Sequence, residues 1–178
     1  MTHEHAGKGS GKLVDTAKVA KLLIHPGDAF LDIGCGPGDY LREASRVART
    51  VVGIDLHASS IEAARAAGFD ARLGDATKRL PFKKDSFDAI LLANVLHGFV
   101  ANGESDAVLA QIYRVLGAGG RLGVVEFTKA SPTGPPPDVK LSSAQVTKLL
   151  ALHGFSRIGK TYRVGLFHYL LLFGKGRL

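Results

Sequence analysis

A chain of 178 residues and 18.8 kDa, 46% of it hydrophobic, is long enough to bury one good core and short for two. It holds no run of about 18 apolar residues, which excludes a membrane-spanning helix. The single cysteine, Cys35, excludes an intramolecular disulfide and a multi-cysteine metal centre, and no metal site is expected. The first eleven residues are polar and carry no apolar signal segment, so the expected location is intracellular, in the cytoplasm. The scarcity of Asn and Gln (Asn94, Asn102, Gln111, Gln145) is in keeping with a heat-adapted source. The net charge of +7 is one-sided: from Ser131 onward there are seven Lys and Arg against Asp138 alone, +6 of the total. Such a face suits nucleic acid, phosphate-bearing substrates or a membrane surface, or is an ordinary solvated surface. No aromatic-rich ribonucleoprotein-like motif accompanies it.

In chain order, residues 3–12 are glycine-rich and polar, with His3 and His5 alternating as metal ligands do, or simply solvated. Asp15 to Ile24 carries Ala17, Val19, Ala20, Leu22, Leu23 and Ile24 in a short helix, ended by His25-Pro26-Gly27-Asp28. Residues 1–28 are thus read as tail and helix, and 29–178 as one domain. Ala29 to Ile33 is an apolar run broken by Asp32, the pattern of a strand buried on both faces. Gly34, Gly36 and Gly38 follow, then Leu41, Ala44, Ser45 and Val47 at helical spacing. Strand, glycine turn and helix together make a turn of the nucleotide-cofactor type, because glycines adopt positive φ and let a ligand approach without meeting a Cβ. A dinucleotide needs a small residue at position 39, where its pyrophosphate meets the helix. Asp39 stands there and would repel it, and Asp32 adds a second acid. Two acids around the turn suit a phosphate-free cofactor with a positive centre, such as S-adenosylmethionine (SAM) with its sulfonium and ammonium. A glycine cluster that binds nothing remains the alternative, and an NAD-dependent dehydrogenase a more distant one.

Thr50 to Asp55 is a second buried strand ending in an acid 17 residues past Gly38, where doubly wound folds place a ribose-binding carboxylate. Ser59 or Ser60 is expected to cap a helix reaching Ala67 and stopped by Gly68. Ala71 to Ala76 reads as a third strand, and Ala89 to Ala93 as a fourth, followed by Asn94-Val95-Leu96-His97. Glu104 to Leu116 is an amphipathic helix ended by Gly117-Ala118-Gly119-Gly120, with a fifth strand over Arg121–Phe127. The proline-rich stretch Ser131–Asp138 is a stiff loop, either a substrate wall or a connector. A helix from Ser142 through Leu152 precedes two strands, Ser156–Val164 and Leu166–Phe173, hinged at Gly165 as an antiparallel hairpin.

The run Leu31-Asp32-Ile33-Gly34-Cys35-Gly36-Pro37-Gly38 resembles the first motif of the class I SAM-dependent methyltransferases. Gly53-Ile54-Asp55-Leu56 resembles the element that follows it, and Leu80-Pro81-Phe82 with Ser86-Phe87-Asp88 resembles a linker of the subfamily that includes the quinone-biosynthesis enzymes. The likeness covers about residues 29 to 175. It implies an α/β, Rossmann-like seven-stranded methyltransferase sheet with helices on both faces and a C-terminal antiparallel hairpin. It also implies SAM as cofactor and S-adenosylhomocysteine (SAH) as product. In such a site Gly34, Cys35, Gly36 and Gly38 shape the turn, and Asp32 supports the methionine end or merely caps the turn. Asp55 takes the ribose, Leu56 packs on the adenine, Asp75 and Ala76 hold the adenine edge, and Asn94 sits beside the methionine. Cys35 is a turn filler or a thiol. His97 and Glu126 end the fourth and fifth strands, where an acceptor must lie. They are the candidate catalytic residues: His97 as base or hydrogen-bonding group, or a histidine satisfied by backbone, and Glu126 as catalytic or in a salt bridge. Base-amino methylation is disfavoured because Asn94-Val95-Leu96-His97 replaces an Asn-Pro-Pro-Tyr run, and arsenic methylation because it needs several thiols. The expected function is methyl transfer to a small-molecule acceptor. An RNA- or ribosome-directed methyltransferase using the basic C-terminal third, or a module that binds SAM without turnover, are the alternatives.

Overall fold

The buried runs of the sequence line up as one seven-stranded sheet. The computed structural model describes residues 14–176, so the tail with His3 and His5 lies outside the described residues. The elements are α1 (Thr16–Leu23), β1 (Ala29–Ile33), α2 (Asp39–Ala44), β2 (Thr50–Asp55), α3 (Ala58–Ala66), β3 (Asp70–Leu73), β4 (Phe87–Ala93), α4 (Leu96–Ala101), α5 (Ser105–Val115), β5 (Leu116–Phe127), α6 (Ser143–Leu152), β6 (Phe155–Arg163) and β7 (His168–Lys175). Strand order is β3-β2-β1-β4-β5-β7-β6. The first five strands pair in parallel, and β7 lies antiparallel between β5 and β6. The expected hairpin is therefore present, with its second strand inserted inside the edge.

Alternation along the strands sorts the core into two layers. Leu31, Ile33, Ile90, Leu92, Val124 and Leu171 pack with Leu109, Ile112 and Val146 of α5 and α6 on one face. Phe30, Leu91, Val125, Leu170 and Leu172 pack with Val19, Leu23, Leu41 and Ile61 of α1, α2 and α3 on the other. The order in which strands are laid down reverses between the parallel neighbours β1 and β4, because β2 and β3 lie to one side and β5 to the other. Ligands of open α/β sheets sit at such a switch point, outside the carboxyl ends of the strands. Both the glycine turn after β1 and the Asn94–His97 segment after β4 leave from there.

Local chemistry fixes several ends. Asp15 caps α1 by accepting from the Lys18 N–H at 2.9 Å. Ser142 and Gln145 form a reciprocal capping box at α6. Two expectations are corrected. Ser59 and Ser60 lie inside α3, which starts at Ala58 after His57 and has no side-chain cap. The backbone there is fixed from outside, by the Asp55 carboxylate accepting from the His57 N–H. Gly117–Gly120 does not separate a helix from the fifth strand, since β5 begins at Leu116. The register slips instead, with Phe87 opposite Leu116 and Ala89 opposite Arg121, so the glycines form a bulge. Gly119 takes φ +75°, and a Cβ on Gly120 would lie 2.6 Å from Leu116 Cδ1. No helix of the described residues is long and apolar enough to cross a membrane.

Candidate cofactor and acceptor site

The glycine turn is stitched to the end of β2. The N–H groups of Gly34 and Cys35 both donate to Ile54 O, at 2.7 and 3.0 Å. The Gly36 N–H donates to Asp55 Oδ2 at 2.9 Å. Asp55 Oδ1 accepts from the His57 N–H at 2.8 Å and lies 3.1 Å from His57 Nδ1. Asp55, read from the sequence as a ribose ligand, is the clamp that joins the glycine turn to the segment after β2. Two of the glycines answer to the fold: a Cβ on Gly34 (φ +78°) would lie 2.6 Å from Val95 Cγ1, and one on Gly38 (φ +98°) 2.8 Å from the Phe69 ring. Gly36 differs. At φ +53° it has nothing within 4 Å of where a Cβ would be, so its bareness leaves room for a ligand. Cys35 is buried, and a Cβ on Gly53 would stand 2.6 Å from its Sγ. Burial and the nearby Asp32 and Asp55 push its thiol well above the usual range, so the side chain fills space and is no nucleophile.

Asp32 sits at the heart of the turn, on β1 between Gly53 and Leu91. It is wholly buried, and neither carboxyl oxygen has a partner among the described residues. Burial first, then the charges of Asp55 and Asp39, push its pKa up to about 8. At neutral pH it is mostly a neutral acid until a cation arrives, which refines the picture of two fixed negative charges. Asn94 follows β4 at φ +58°, its N–H donating to Val125 O at 2.8 Å and its Oδ1 buried without a partner. Unsatisfied buried acceptors are unfavourable by about 1–3 kcal/mol each, so the two residues ask for a donor. The ammonium of a methionine moiety is such a donor.

Across β2 and β3, Asp75 Oδ1 accepts from Thr77 N–H and Oγ1–H at 2.8 and 2.6 Å, and those bonds hold its carboxyl below the usual range. It stays an acceptor-only group, the type an adenine amine requires. Leu56, just after β2, is 65% exposed and free to pack on a ring, while Ala76 is buried. The residues present thus fit SAM: room at Gly36, orphaned acceptors at Asp32 and Asn94, and an acceptor and an apolar side chain at the opposite end.

His97 and Glu126 meet. His97 lies in the first turn of α4, not at a strand end, and its N–H donates to Glu126 Oε1 at 3.0 Å while Nδ1 stands 2.8 Å from Oε2. Both residues are buried. The His97 ring is therefore paired with a carboxylate and not with a backbone carbonyl, and Glu126 spends one oxygen on the His97 backbone and the other on its ring. Across the ladder from Glu126 stands Tyr169, whose hydroxyl donates to Leu141 O at 2.7 Å and is pushed well above its usual pKa by burial and then by Glu126. Phe127 lies edge-on to the His97 ring at 6.2 Å and against the His168 ring at 4.3 Å. His57, Phe127 and His168 escaped the sequence reading. His57 was signalled by its place two residues after Asp55, but His168 heads a strand that reads only as apolar. The proline-rich loop packs back on β5 and is tied internally: a Cβ on Gly134 would lie 2.7 Å from the Phe127 ring, and Lys140 Nζ donates to Ser131 O at 2.6 Å.

Comparison with known proteins bears on the family and the fold. The family profile described as a methyltransferase domain matches residues 31–124, more than half the chain. A probable tRNA methyltransferase 9B of Homo sapiens is 38% identical over 97 residues, 54% of this chain and 21% of that protein. A demethylmenaquinone methyltransferase of Deinococcus radiodurans is 35% identical over 151 residues, 80% of this chain and 58% of that protein. The chain therefore spans about a fifth of the first relative's length and less than two thirds of the second's. The solved SAM-dependent methyltransferase of Aquifex aeolicus shares the fold, with a TM-score of 0.80 at 23% identity over 93% of this chain and 92% of that one. With the profile matched over residues 31–124, from β1 into β5, and the fold shared with the solved methyltransferase, this chain belongs to the class I SAM-dependent methyltransferases, whose cofactor is S-adenosylmethionine.

Proposed function

We propose that this protein methylates a small-molecule acceptor, with His97 as the base that takes the acceptor's proton. The observation that carries the proposal is the pairing of two incomplete sites at the carboxyl ends of neighbouring strands. Asp32 and Asn94 offer buried acceptors with no donor, and His97, fixed by Glu126, offers an imidazole nitrogen that no described group takes. SAM, when bound, would supply a methyl group activated by its sulfonium, with the neutral thioether of SAH as leaving group.

The chain's residues do the rest. Asp32 ionises to receive the cationic methionine end, and Asn94 Oδ1 adds a second acceptor. Asp55 keeps Gly36 and His57 in register around the ribose position, while Asp75 and Leu56 hold the adenine. Glu126 Oε2 accepts from Nδ1–H of His97, which leaves the Nε2 lone pair to accept the acceptor's proton; Glu126 then stabilises the imidazolium. Holding both reactants in register supplies about 7–11 kcal/mol at most.

A second reading, RNA as acceptor, draws on the human relative's name and on Arg157, Lys160 and Arg163 along the edge strand β6. Lysine and arginine on an open edge also serve to prevent edge-to-edge pairing, so the edge alone does not demand RNA. The test is calorimetry with SAM and SAH, followed by SAH release over a panel of small hydroxy, amino and carbanion acceptors and over bulk tRNA. Binding of SAM with turnover on a small acceptor is expected. Turnover on tRNA alone, with an affinity that falls steeply with salt, would replace the small acceptor by RNA. Binding with no turnover on either would leave a SAM-binding module.

A further inference from the structure

Beyond β5, away from the glycine turn, a cavity of about 480 Å³ opens between Thr128, Thr161, Arg163, the β6–β7 turn residues Leu166 and Phe167, and His168 at the start of β7. That volume is in the range of small-molecule pockets, about 300–1,000 Å³. His168 is 2% exposed, and among the described residues neither of its ring nitrogens has a partner. Burial holds the imidazole below its usual pKa, so it is a neutral ring with one N–H and one lone pair to offer. Nothing in the fold of the described residues uses either. Arg163 stands at the rim with its guanidinium pinned, Nε donating to Gly165 O at 3.2 Å and one Nη to Leu166 O at 3.3 Å. A pinned guanidinium presents its remaining N–H groups in a fixed fork, the geometry that takes a carboxylate.

The cavity is joined to the proposed chemistry. Phe127 is the spacer: its ring packs on His168 at 4.3 Å and meets His97 at 6.2 Å, so one aromatic ring separates the cavity wall from the base. β4 and β7 are two strand spacings apart, about 10 Å across the sheet. An acceptor of one or two rings covers that distance. Gly134 of the proline-rich loop also packs against the Phe127 ring.

We infer that this cavity seats the acceptor, and that the acceptor is a small aromatic acid. Its acidic group lies on Arg163, its polar substituent bonds His168, its ring packs on Leu166 and Phe167, and its nucleophile points past Phe127 toward His97. The inference rests on the methyltransferase reading above. An RNA phosphate would use Arg163 but would ask nothing of a buried imidazole, so the observations favour the small acid.

The full chain, saturated with SAH, is titrated with benzoate, 4-hydroxybenzoate and indole-3-acetate while the imidazole resonances of His168 are followed by long-range proton–nitrogen NMR, assigned with His168→Gln. The expected result is a saturable shift of His168 by at least one acid, weakened tenfold or more in Arg163→Gln. Arg163 is exposed at a strand edge, so the variant is expected to fold, and unchanged SAH affinity verifies it. If SAH binds normally and His168 moves with none of the three acids, or moves equally in Arg163→Gln, the acceptor-pocket inference is wrong and the methyltransferase reading stands. If the wild-type chain takes up no SAH, the methyltransferase reading itself fails and the inference falls with it.

Discussion

Glu126 grips His97 at two atoms, accepting the backbone N–H on Oε1 at 3.0 Å and facing Nδ1 with Oε2 at 2.8 Å. The two side chains come from elements 29 residues apart, and both are buried where β5 and α4 meet. A carboxylate can accept both bonds at once; an amide cannot. In Glu126→Gln one oxygen becomes an NH2 donor. Facing Nδ1, that donor turns Nδ1 into the acceptor and puts the proton on Nε2, the wrong tautomer for a base. The expected outcome is unchanged SAM affinity with turnover lowered about 10²–10⁴-fold on a hydroxyl acceptor, in Glu126→Gln and in His97→Ala alike. Steady-state kinetics with calorimetry of SAM binding check this. A rate unaffected by either substitution removes His97 from the chemistry.

Asp32 makes the cofactor-free protein's stability depend on pH. Its folded pKa, about 8, is raised above the ordinary 3.8, so the native state holds a proton that the unfolded chain releases. Stability from this group is complete below about pH 4 and is lost as pH rises toward 8, at about 1.4 kcal/mol per pH unit in that window. Asp32→Asn keeps the shape and cannot ionise. Its stability, measured by urea unfolding without cofactor from pH 5 to 8, should lack that decline. SAM binding near pH 6.5 should release about one proton in the wild type and none in Asp32→Asn, read by calorimetry in two buffers of different ionisation enthalpy. Equal slopes in the two proteins would show that Asp32 is not the titrating group.

Gly34 and Gly36 separate folding from binding. Alanine at Gly36 meets no neighbour and bears only the left-handed backbone strain, about 1–2 kcal/mol. At Gly34 it also strikes Val95 at 2.6 Å. Gly36→Ala should therefore melt within a few degrees of the wild type while losing SAM affinity at least about tenfold, or 1.4 kcal/mol. Gly34→Ala should lose both. Retained SAM affinity in Gly36→Ala would place the cofactor elsewhere.

These residues also mark how far the sequence could be read. The strand–glycine–helix unit and the seven-strand count were legible because each lies in a local pattern: a run, a turn, a fixed spacing. The His97–Glu126 pair was legible only as two separate candidates. Their contact depends on β5 lying beside β4, which no local period encodes. His168 was not legible at all. Its partnerless ring results from β7 running antiparallel beside β5, which sets Phe127 opposite His168. Ser59 and Ser60 misled for the converse reason: good caps by composition, they were overruled by a carboxylate from the preceding strand. The limit falls between chemistry carried by neighbours in sequence and chemistry made by neighbours in the sheet.

Tyr169 tests whether the proline-rich loop is structural support for the acceptor side alone. Its hydroxyl donates to Leu141 O at 2.7 Å where the loop enters α6, and both residues are buried. Tyr169→Phe keeps the ring and strands that carbonyl without its donor, which should destabilise the fold by about 1–3 kcal/mol in urea unfolding. The bond lies beyond β5, on the far side of Glu126 from the glycine turn, so SAM affinity should stay at the wild-type value. The Michaelis constant for the acceptor should rise, because Gly134 of the same loop rests on Phe127, the spacer between the cavity and His97. A variant in which SAM affinity falls as far as acceptor affinity would mean that the loop supports the cofactor as well, and that the two halves of the site are not independent.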